Sequence, residues 1–332
     1  VSPVHSIRSV LVTGATGFIG SNLALRLVEE GYRVRILRRA HSDLRALRGV
    51  DVEHRLGDIR DREAVENAVR GCDTVFHSAA IVSFKRSRYA EQLEVNVDGT
   101  RNIVAACLKE GVEQLVHTSS VAAIGYRHDD GLIDEETPFN WEGTAGYRVS
   151  KHRAEQEILD GVRRGLSAVM VNPSVVIGER DIHFHGGQIL RDVRRGIVPL
   201  YIDGGMNVVY VGDVVAGHLA AAQRGRSGER YILAGENLTH REVFSRTAAI
   251  VGGRPPFARL PLPLLRLGAA LLEKVTDALG KDPLITRDLV AGAGRFHWFT
   301  CGKAERELGY TSTPFDMAVR LTFAWYRSEG LL

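Results

Sequence analysis

The stretch Val10-Leu11-Val12-Thr13-Gly14-Ala15-Thr16-Gly17-Phe18-Ile19-Gly20 constrains this chain more than any other. Its first part is an apolar, β-branched run, the pattern of a parallel strand buried on both faces. It then breaks into glycines at Gly14, Gly17 and Gly20, and over residues 18–30 apolar side chains recur at helical spacing, with Ile19, Leu23 and Leu27 on one face. The first backbone N–H groups of a helix lack internal partners and sit at the positive end of its dipole, and glycine lets a pyrophosphate approach them closely. A dinucleotide site is expected at this turn.

The spacing Gly14-x-x-Gly17-x-x-Gly20 departs from the G-x-G-x-x-G of most dehydrogenases and resembles the extended short-chain dehydrogenase/reductase superfamily. Further strands are expected at residues 33–37, 50–56, 74–77, 114–118 and 167–171. Helices are expected at 62–70, N-capped by Asp61, and at 89–110 and 147–164. With right-handed crossovers this alternation makes an α/β fold, a Rossmann doubly wound parallel sheet. Beyond Pro173 the pattern loosens into a returning strand at 208–211, a helix from Gly212 through Gln223, a strand at 231–233, and a helix at 241–251 capped by Thr239. The resemblance implies a smaller, discontinuous C-terminal α/β substrate domain. Residues 1–173 plus 206–234 would bind NAD(P), and 174–205 plus 235–332 the substrate.

The strand at 33–37 ends where a dinucleotide's adenosine ribose lies. NAD sites place a carboxylate there for the 2′-OH, whereas this chain has Arg38-Arg39 and no acid until Asp43. A carboxylate repels a 2′-phosphate and a guanidinium pairs with it through two hydrogen bonds, so NADP (NADPH) is favoured over NAD. The resemblance also assigns to the cofactor Thr16, Phe18 and Ile19 of the turn, Asp58 and Ile59 at the adenine, and the small-residue turn Ala79, Ala80 and Ile81. Thr118, Pro173 and Val176 complete that set.

Tyr147-x-x-x-Lys151 sets a phenol and an ammonium on one helical face. A free phenol titrates near pH 10, and a neighbouring ammonium favours the phenolate. A downward shift of about two units, roughly 2.7 kcal/mol, would bring it into range as a proton shuttle. By resemblance, Ser120 donates to the substrate oxygen and Lys151 to the nicotinamide ribose, and both Tyr147 and Lys151 touch the cofactor. Asn96 then bends the preceding helix and supports the site. The order of turn, serine and Tyr-x-x-x-Lys points to an NADP(H)-dependent oxidoreductase moving hydride between nicotinamide and a ketone or secondary alcohol of a small, fairly apolar substrate.

Asn172-Pro173-Ser174 with Gly178-Glu179-Arg180-Asp181, and the run from Gly228 to Leu233, are similar to dihydroflavonol-reductase-like proteins and to hopanoid-associated sugar epimerases. The same trio serves sugar-nucleotide epimerases, which is the alternative reading. Those enzymes commonly carry an Arg-Asp pair where Met206-Asn207 stands and a Tyr where Ile124 stands; dehydratases carry Asp-Glu where Val121-Ala122 stands. A non-catalytic NADP(H)-binding sensor is a further alternative, although such proteins usually lose the Tyr or the Lys. Helices 89–110 and 147–164 resemble the pair that forms a four-helix interface in this superfamily, so a homodimer is expected.

Composition excludes several classes. The chain of 332 residues is 44% hydrophobic and 25% charged, and its net charge of +3 is dispersed, which argues against a nucleic-acid partner. Cys72, Cys107 and Cys301 form neither a disulfide framework nor a zinc site and fit a reducing compartment. Val1 to Ser9 lacks the apolar core of a signal peptide, and no stretch reaches the roughly 20 apolar residues of a bilayer span, so a cytoplasmic location without a transmembrane segment is expected. Residues 261–279 are read as a core helix, with an apolar lid or a peripheral membrane contact as alternatives. His183-x-His185 could be half a metal site, but no nearby cysteine or acid completes a familiar spacing, and no metal is expected. His77 and His117 are read as satisfied core residues. Ser78, Ser83 and Ser119 have no base placed for hydrolysis.

Overall fold

In the computed structural model the described residues are 8–129, 131–141, 146–278, 290 and 292–332. The first strands in chain order are β1 (Ser9–Thr13), β2 (Arg33–Arg38), β3 (Glu53–Leu56), β4 (Thr74–His77), β5 (Gln114–Thr118) and β6 (Ala168–Pro173). After them come β7 (Val175–Ile177), β8 (Leu200–Tyr201), β9 (Gly205–Tyr210), β10 (Arg230–Leu233), β11 (Glu236–Thr239) and β12 (Ala258–Arg259). Seven of these build one parallel sheet in the order β10-β6-β5-β4-β1-β2-β3. This is the doubly wound α/β architecture, and the strand order reverses between β1 and β4, where ligands of such sheets bind outside the carboxyl ends.

Both faces of the sheet are covered. The flanking helices are α1 (Phe18–Glu29), α2 (Arg62–Val69), α3 (Tyr89–Leu93), α4 (Gly99–Glu110) and α5 (Tyr147–Arg163). Further along lie α6 (Gln188–Arg194), α7 (Val211–Arg224), α8 (His240–Val251), α9 (Leu262–Ala278), α10 (Gly302–Leu308) and α11 (Phe315–Ser328). Alternation along β1 sends Val10 and Val12 into a layer with Leu23 and Leu27 of α1 and Val215 of α7. Leu11 enters the opposite layer with Val65, Ile103 and Ile158 of α2, α4 and α5. Leu11, Leu23, Leu27 and Ile103 are fully buried, each burial stabilising by about 2 kcal/mol. Cys107 lies in the second of these layers, and burial pushes its thiol well above the ordinary range.

Local chemistry sets the element ends. Asp61 Oδ1 accepts from the N–H groups of Glu63 at 3.0 Å and Ala64 at 3.2 Å, capping α2 as its sequence position foretold. Thr239 and Glu242 form a reciprocal capping box on α8. Two expectations are revised. The third strand begins at Glu53, later than residue 50, because it is an edge strand whose pairing with β2 starts at the Arg35 level. The helix expected over 89–110 is interrupted by a π turn at Glu94–Asp98 between α3 and α4.

The returning strand is β9, which pairs with β7 in parallel and with β11 antiparallel. Its alternate residues face two cores: Val209 joins the layer of α1 and α7, and Val208 joins a separate cluster with Ile177, Leu238 and Phe315. Of the segment 261–279, Leu262–Ala278 is helical as α9, Leu279 lies outside the described residues, and the expected core helix is revised in that Leu264 and Leu267 are exposed.

Candidate active site

The glycine turn leaves β1 at Gly14, whose φ of +70° is left-handed and whose added Cβ would sit 2.6 Å from the backbone of Ser78 and Ala79. A Cβ on Gly20 would lie 2.3 Å from the carbonyl oxygen of Gly14. These two glycines therefore let α1 and the turn after β4 close on the end of β1. The Gly14 carbonyl accepts from the Gly17 N–H at 2.9 Å, and α1 starts with Gly17 as a cap that supplies no side-chain acceptor. The first turn of α1 also has no acidic residue, so its N–H groups suit an anion. Thr16, Gly17 and Ile19 are partly exposed along this edge, while Phe18 packs inward.

At the end of β2 the two arginines differ. Arg38 Nε donates to His54 Nδ1 at 2.8 Å and Nη1 to the Arg39 carbonyl at 3.2 Å, which holds it against β3. Arg39 is exposed, and its charge acts on Asp58, whose carboxyl is held below the usual range chiefly by hydrogen bonds from Arg60. Asp43 is taken up by Arg45, with contacts of 2.9 and 2.7 Å. Ile59 is buried beside Gly99, where a Cβ would meet its side chain at 2.6 Å.

The π turn explains how Asn96 enters the site. Widening the helix by one residue turns this buried amide inward. Its Oδ1 accepts from the Ile81 N–H at 2.8 Å, and its Nδ2 donates to the Ile81 carbonyl at 3.1 Å and to Ser150 Oγ at 2.9 Å. One amide thus joins the turn Ala79, Ala80 and Ile81 to the α5 residue that precedes Lys151.

Tyr147 opens α5, with Ser120 near enough to its phenol to act on its pKa. Ser120 Oγ also accepts from the Ala122 N–H at 3.1 Å. Lys151, one turn along, is 2% exposed and donates to the Thr118 carbonyl at 2.8 Å, with His117 Nε2 at 3.3 Å. The expected lowering of the phenol's pKa is not what this arrangement produces. Burial pushes Tyr147 above its ordinary value, only partly offset by Ser120, and the Lys151 ammonium is engaged by the Thr118 carbonyl of β5. Burial likewise lowers Lys151 to about 8, against the opposing charge of Glu155.

Several residues around the trio were not singled out in the sequence. Glu155 is fully buried and accepts from Asn172 Nδ2 at 2.7 Å; the same Nδ2 lies 2.9 Å from the Ser120 carbonyl, and Arg230 pairs with Glu155 at 3.3 Å. Thr118 Oγ1 meets Ser78 Oγ at 2.5 Å and His218 Nε2 at 2.8 Å. His77 is satisfied by Thr13 at 2.7 Å and Thr100 at 3.0 Å, as a core histidine should be. His117 is not, since its Nδ1 is buried without a partner. The available signal was strand parity, which sets Leu115 and His117 on the α5 side of β5. Pro173 ends β6, buried, and Val176 lies partly exposed on β7. His183 and His185 share a loop on which Asp181 accepts from the His185, Gly186 and Gly187 N–H groups. Among the described residues no group of three His, Cys, Asp or Glu side chains is arranged to hold a metal ion.

Residues 10–234 match the profile of the NAD dependent epimerase/dehydratase family. The chain belongs to this family. Members of the epimerase/dehydratase family similar to it over nearly their whole length include a putative dihydroflavonol 4-reductase of Synechocystis, 38% identical and covering 96% of this chain and 94% of that protein. Sterol demethylase protein B of Methylococcus capsulatus is 32% identical over 98% of this chain and 100% of that protein. The 4-hydroxy-2-methyl-3-oxo-4-farnesyl-3,4-dihydroquinoline-1-oxide ketoreductase of Stigmatella aurantiaca is 32% identical over 90% of each. Among solved structures, gox2253 superposes with a TM-score of 0.88 at 38% identity, covering 98% of this chain and 100% of that one. The UDP-glucose 4-epimerase of Thermus thermophilus, solved with NAD, has a TM-score of 0.76 at 26% identity over 96% and 99%. The fold is that of an extended short-chain dehydrogenase/reductase, and the protein is an NAD(P)-dependent enzyme of the oxidoreductase and epimerase kind.

Proposed function

We propose that this enzyme reduces a ketone of a small, fairly apolar substrate with NADPH, using Ser120, Tyr147 and Lys151. The observation that carries the reading is the Asn96 amide, which ties the turn at Ile81 to Ser150 of α5, whose hydroxyl in turn donates to the Tyr147 carbonyl, so that Tyr147 and Lys151 are held at the end of β5 where Ser120 stands. A phenol kept protonated at neutral pH is a proton donor, which is the role that ketone reduction requires. When bound, the nicotinamide dinucleotide supplies the hydride. Ser120 orients the carbonyl oxygen and donates to it as negative charge grows there. Tyr147 holds the proton at its phenolic oxygen and releases it to that same atom. Lys151 would hold the nicotinamide ribose through its ammonium, and Asn96 fixes the spacing between the turn at Ile81 and α5.

The turn's uncapped N–H groups suit the pyrophosphate, and Arg39 supports preference for the 2′-phosphate. The reductase names among the relatives support the direction, and the farnesylated substrate named for one of them supports the apolar class. Asn207 gives no support to a sugar diphosphate, because its side chain is occupied by Ser174 at 2.6 Å and by Gly235 and Asn237. We also infer the division into residues 1–173 plus 206–234 for the cofactor and 174–205 plus 235–332 for the substrate. A homodimer through α4 and α5 fits the groove between them, lined by Val97, Asp98, Arg101, Arg153 and Glu157.

The test is turnover of a panel of apolar and polar ketones with NADPH and NADH, alongside mass spectrometry of any co-purified small molecule. Reduction of apolar ketones with NADPH is the expected result. A retained sugar nucleotide, or interconversion of sugar epimers without net cofactor consumption, would overturn it. Sedimentation as a monomer would refute the dimer.

A further inference from the structure

Two segments distant in sequence form one surface of unusual chemistry. β8 pairs in parallel with β12, Leu200 opposite Ala258, and the Phe257 N–H donates to the Pro199 carbonyl at 3.0 Å. Three residues beyond the pair's end, α9 begins at Leu262. On this surface Phe257 is 82% exposed, Ile197 61%, Leu267 59% and Leu264 58%. Four large apolar side chains are thus in water, Ile197 and Phe257 in the segments that lead into β8 and β12 and two on the opening turns of α9. Leu264 and Leu267, three apart, share a helical face, while Ala269 is turned inward.

The charge around them is predominantly basic, with Asp192 and Asp203 bordering the first segment and Glu273 the second. Residues 193–202 and 251–272 contain Arg194, Arg195, Arg254, Arg259 and Arg266 and no Asp or Glu. Arg259 pairs with Asp203 at 3.1 Å and Arg194 is held by the Val251 carbonyl at 2.6 Å, whereas Arg195, Arg254 and Arg266 are exposed on the surface. Exposed apolar anchors flanked by arginines match an anionic lipid surface, in which the rings and branched chains enter the acyl boundary and the guanidiniums meet the phosphates. A second copy is the poorer occupant, because a two-fold contact through this face would set each arginine against its like.

We propose that the β8–β12 pair and the start of α9 form a peripheral docking surface for an anionic phospholipid bilayer, with Phe257 and Leu264 inserting and Arg254 and Arg266 contacting headgroup phosphates. This inference does not depend on the reaction, and its test has no activity readout.

The test is co-sedimentation of the full chain with phosphatidylcholine vesicles, with and without phosphatidylglycerol. Binding that rises at least about tenfold with phosphatidylglycerol and falls with added salt is expected. The double variant Arg254→Glu with Arg266→Glu should lose that enhancement, and Phe257→Glu with Leu264→Glu should lose partitioning altogether, with unchanged circular dichroism. As a second measurement, Phe257→Trp should show a blue-shifted emission quenched by brominated lipid. Failure of the wild-type chain to partition into either vesicle, undiminished binding by the Glu variants, or unquenched Trp emission would overturn the proposal. So would self-association that disappears in the Phe257→Glu variant, which would assign the surface to a second copy.

Discussion

The Lys151 ammonium lies 3.3 Å from Nε2 of His117, a buried imidazole with no other partner on that ring nitrogen. Burial and the neighbouring Lys151 charge drive the pKa of His117 well below the ordinary histidine value, so the ring is neutral and Nε2 accepts from the ammonium. The proton then resides on Nδ1, which is the buried atom without a partner. The groups facing Lys151 are His117 from β5 and Glu155 from its own helix, with His77 and His218 behind His117; the last two are also kept neutral by burial.

A pH limb follows. Lys151 is lowered from its ordinary value to about 8, so its charge is present below about pH 8 and lost above it. Between that value and the unfolded lysine value near 10.4, the unfolded chain binds the extra proton and stability rises with pH; below about 8 the burial cost is borne in full. Cofactor affinity should therefore fall as pH rises through about 8, and calorimetric titration across that range checks it. Lys151→Met should abolish the limb. His117→Leu should move it to lower pH, and His117→Gln, whose amide oxygen reaches the place of Nε2, should restore it.

Removing the phenolic oxygen separates chemistry from binding. Tyr147→Phe should lower kcat by roughly 10²–10⁴-fold while leaving the dissociation constant for NADPH within a few-fold. Ser120→Ala should cost roughly 10²-fold in kcat, since it removes one donor to the growing oxyanion. Steady-state kinetics beside equilibrium binding distinguishes these outcomes from misfolding.

Arg39 and Arg38 should not be equivalent. Arg39→Ala should weaken NADPH roughly 10–100-fold, the loss of a charge-assisted pair, and leave NADH nearly unchanged. Arg38→Ala should have the smaller effect because its guanidinium is bound to His54. Equal losses for both cofactors in the Arg39 variant would contradict the assignment.

Gly20→Ala tests the fit of the turn. Its Cβ would lie 2.3 Å from the Gly14 carbonyl oxygen, which cannot move without displacing the strand end. A loss of roughly 1–3 kcal/mol in stability is expected, read from the denaturant midpoint, together with loss of cofactor binding.

The sheet was legible because its signals are local: β1, β4 and β5 are short apolar runs, and glycine marks the exit from β1. The ends of the site were legible where one residue type does one job, as with Asp61 and Thr239 at their caps. What escaped was the direction of side chains set by tertiary packing. A spacing of four placed Tyr147 and Lys151 on one face, yet could not tell that Lys151 turns toward Thr118 and His117. The same limit hid the pairing of Glu155 with Asn172, seventeen positions apart in the chain and joined only when α5 lies on β6. The helix at 89–110 read as continuous because a single added residue leaves apolar periodicity almost intact on either side.

That added residue has a consequence for any attempt to redesign the protein. Excising one position from 94–98 would let the segment wind as an unbroken α-helix, a change that local propensity welcomes. Each residue of such a helix advances by about 100°, so everything before the cut would be rotated by that angle and Asn96 would be swung away from Ile81 and Ser150. A shorter, more regular helix would thus be the one that disassembles the cleft.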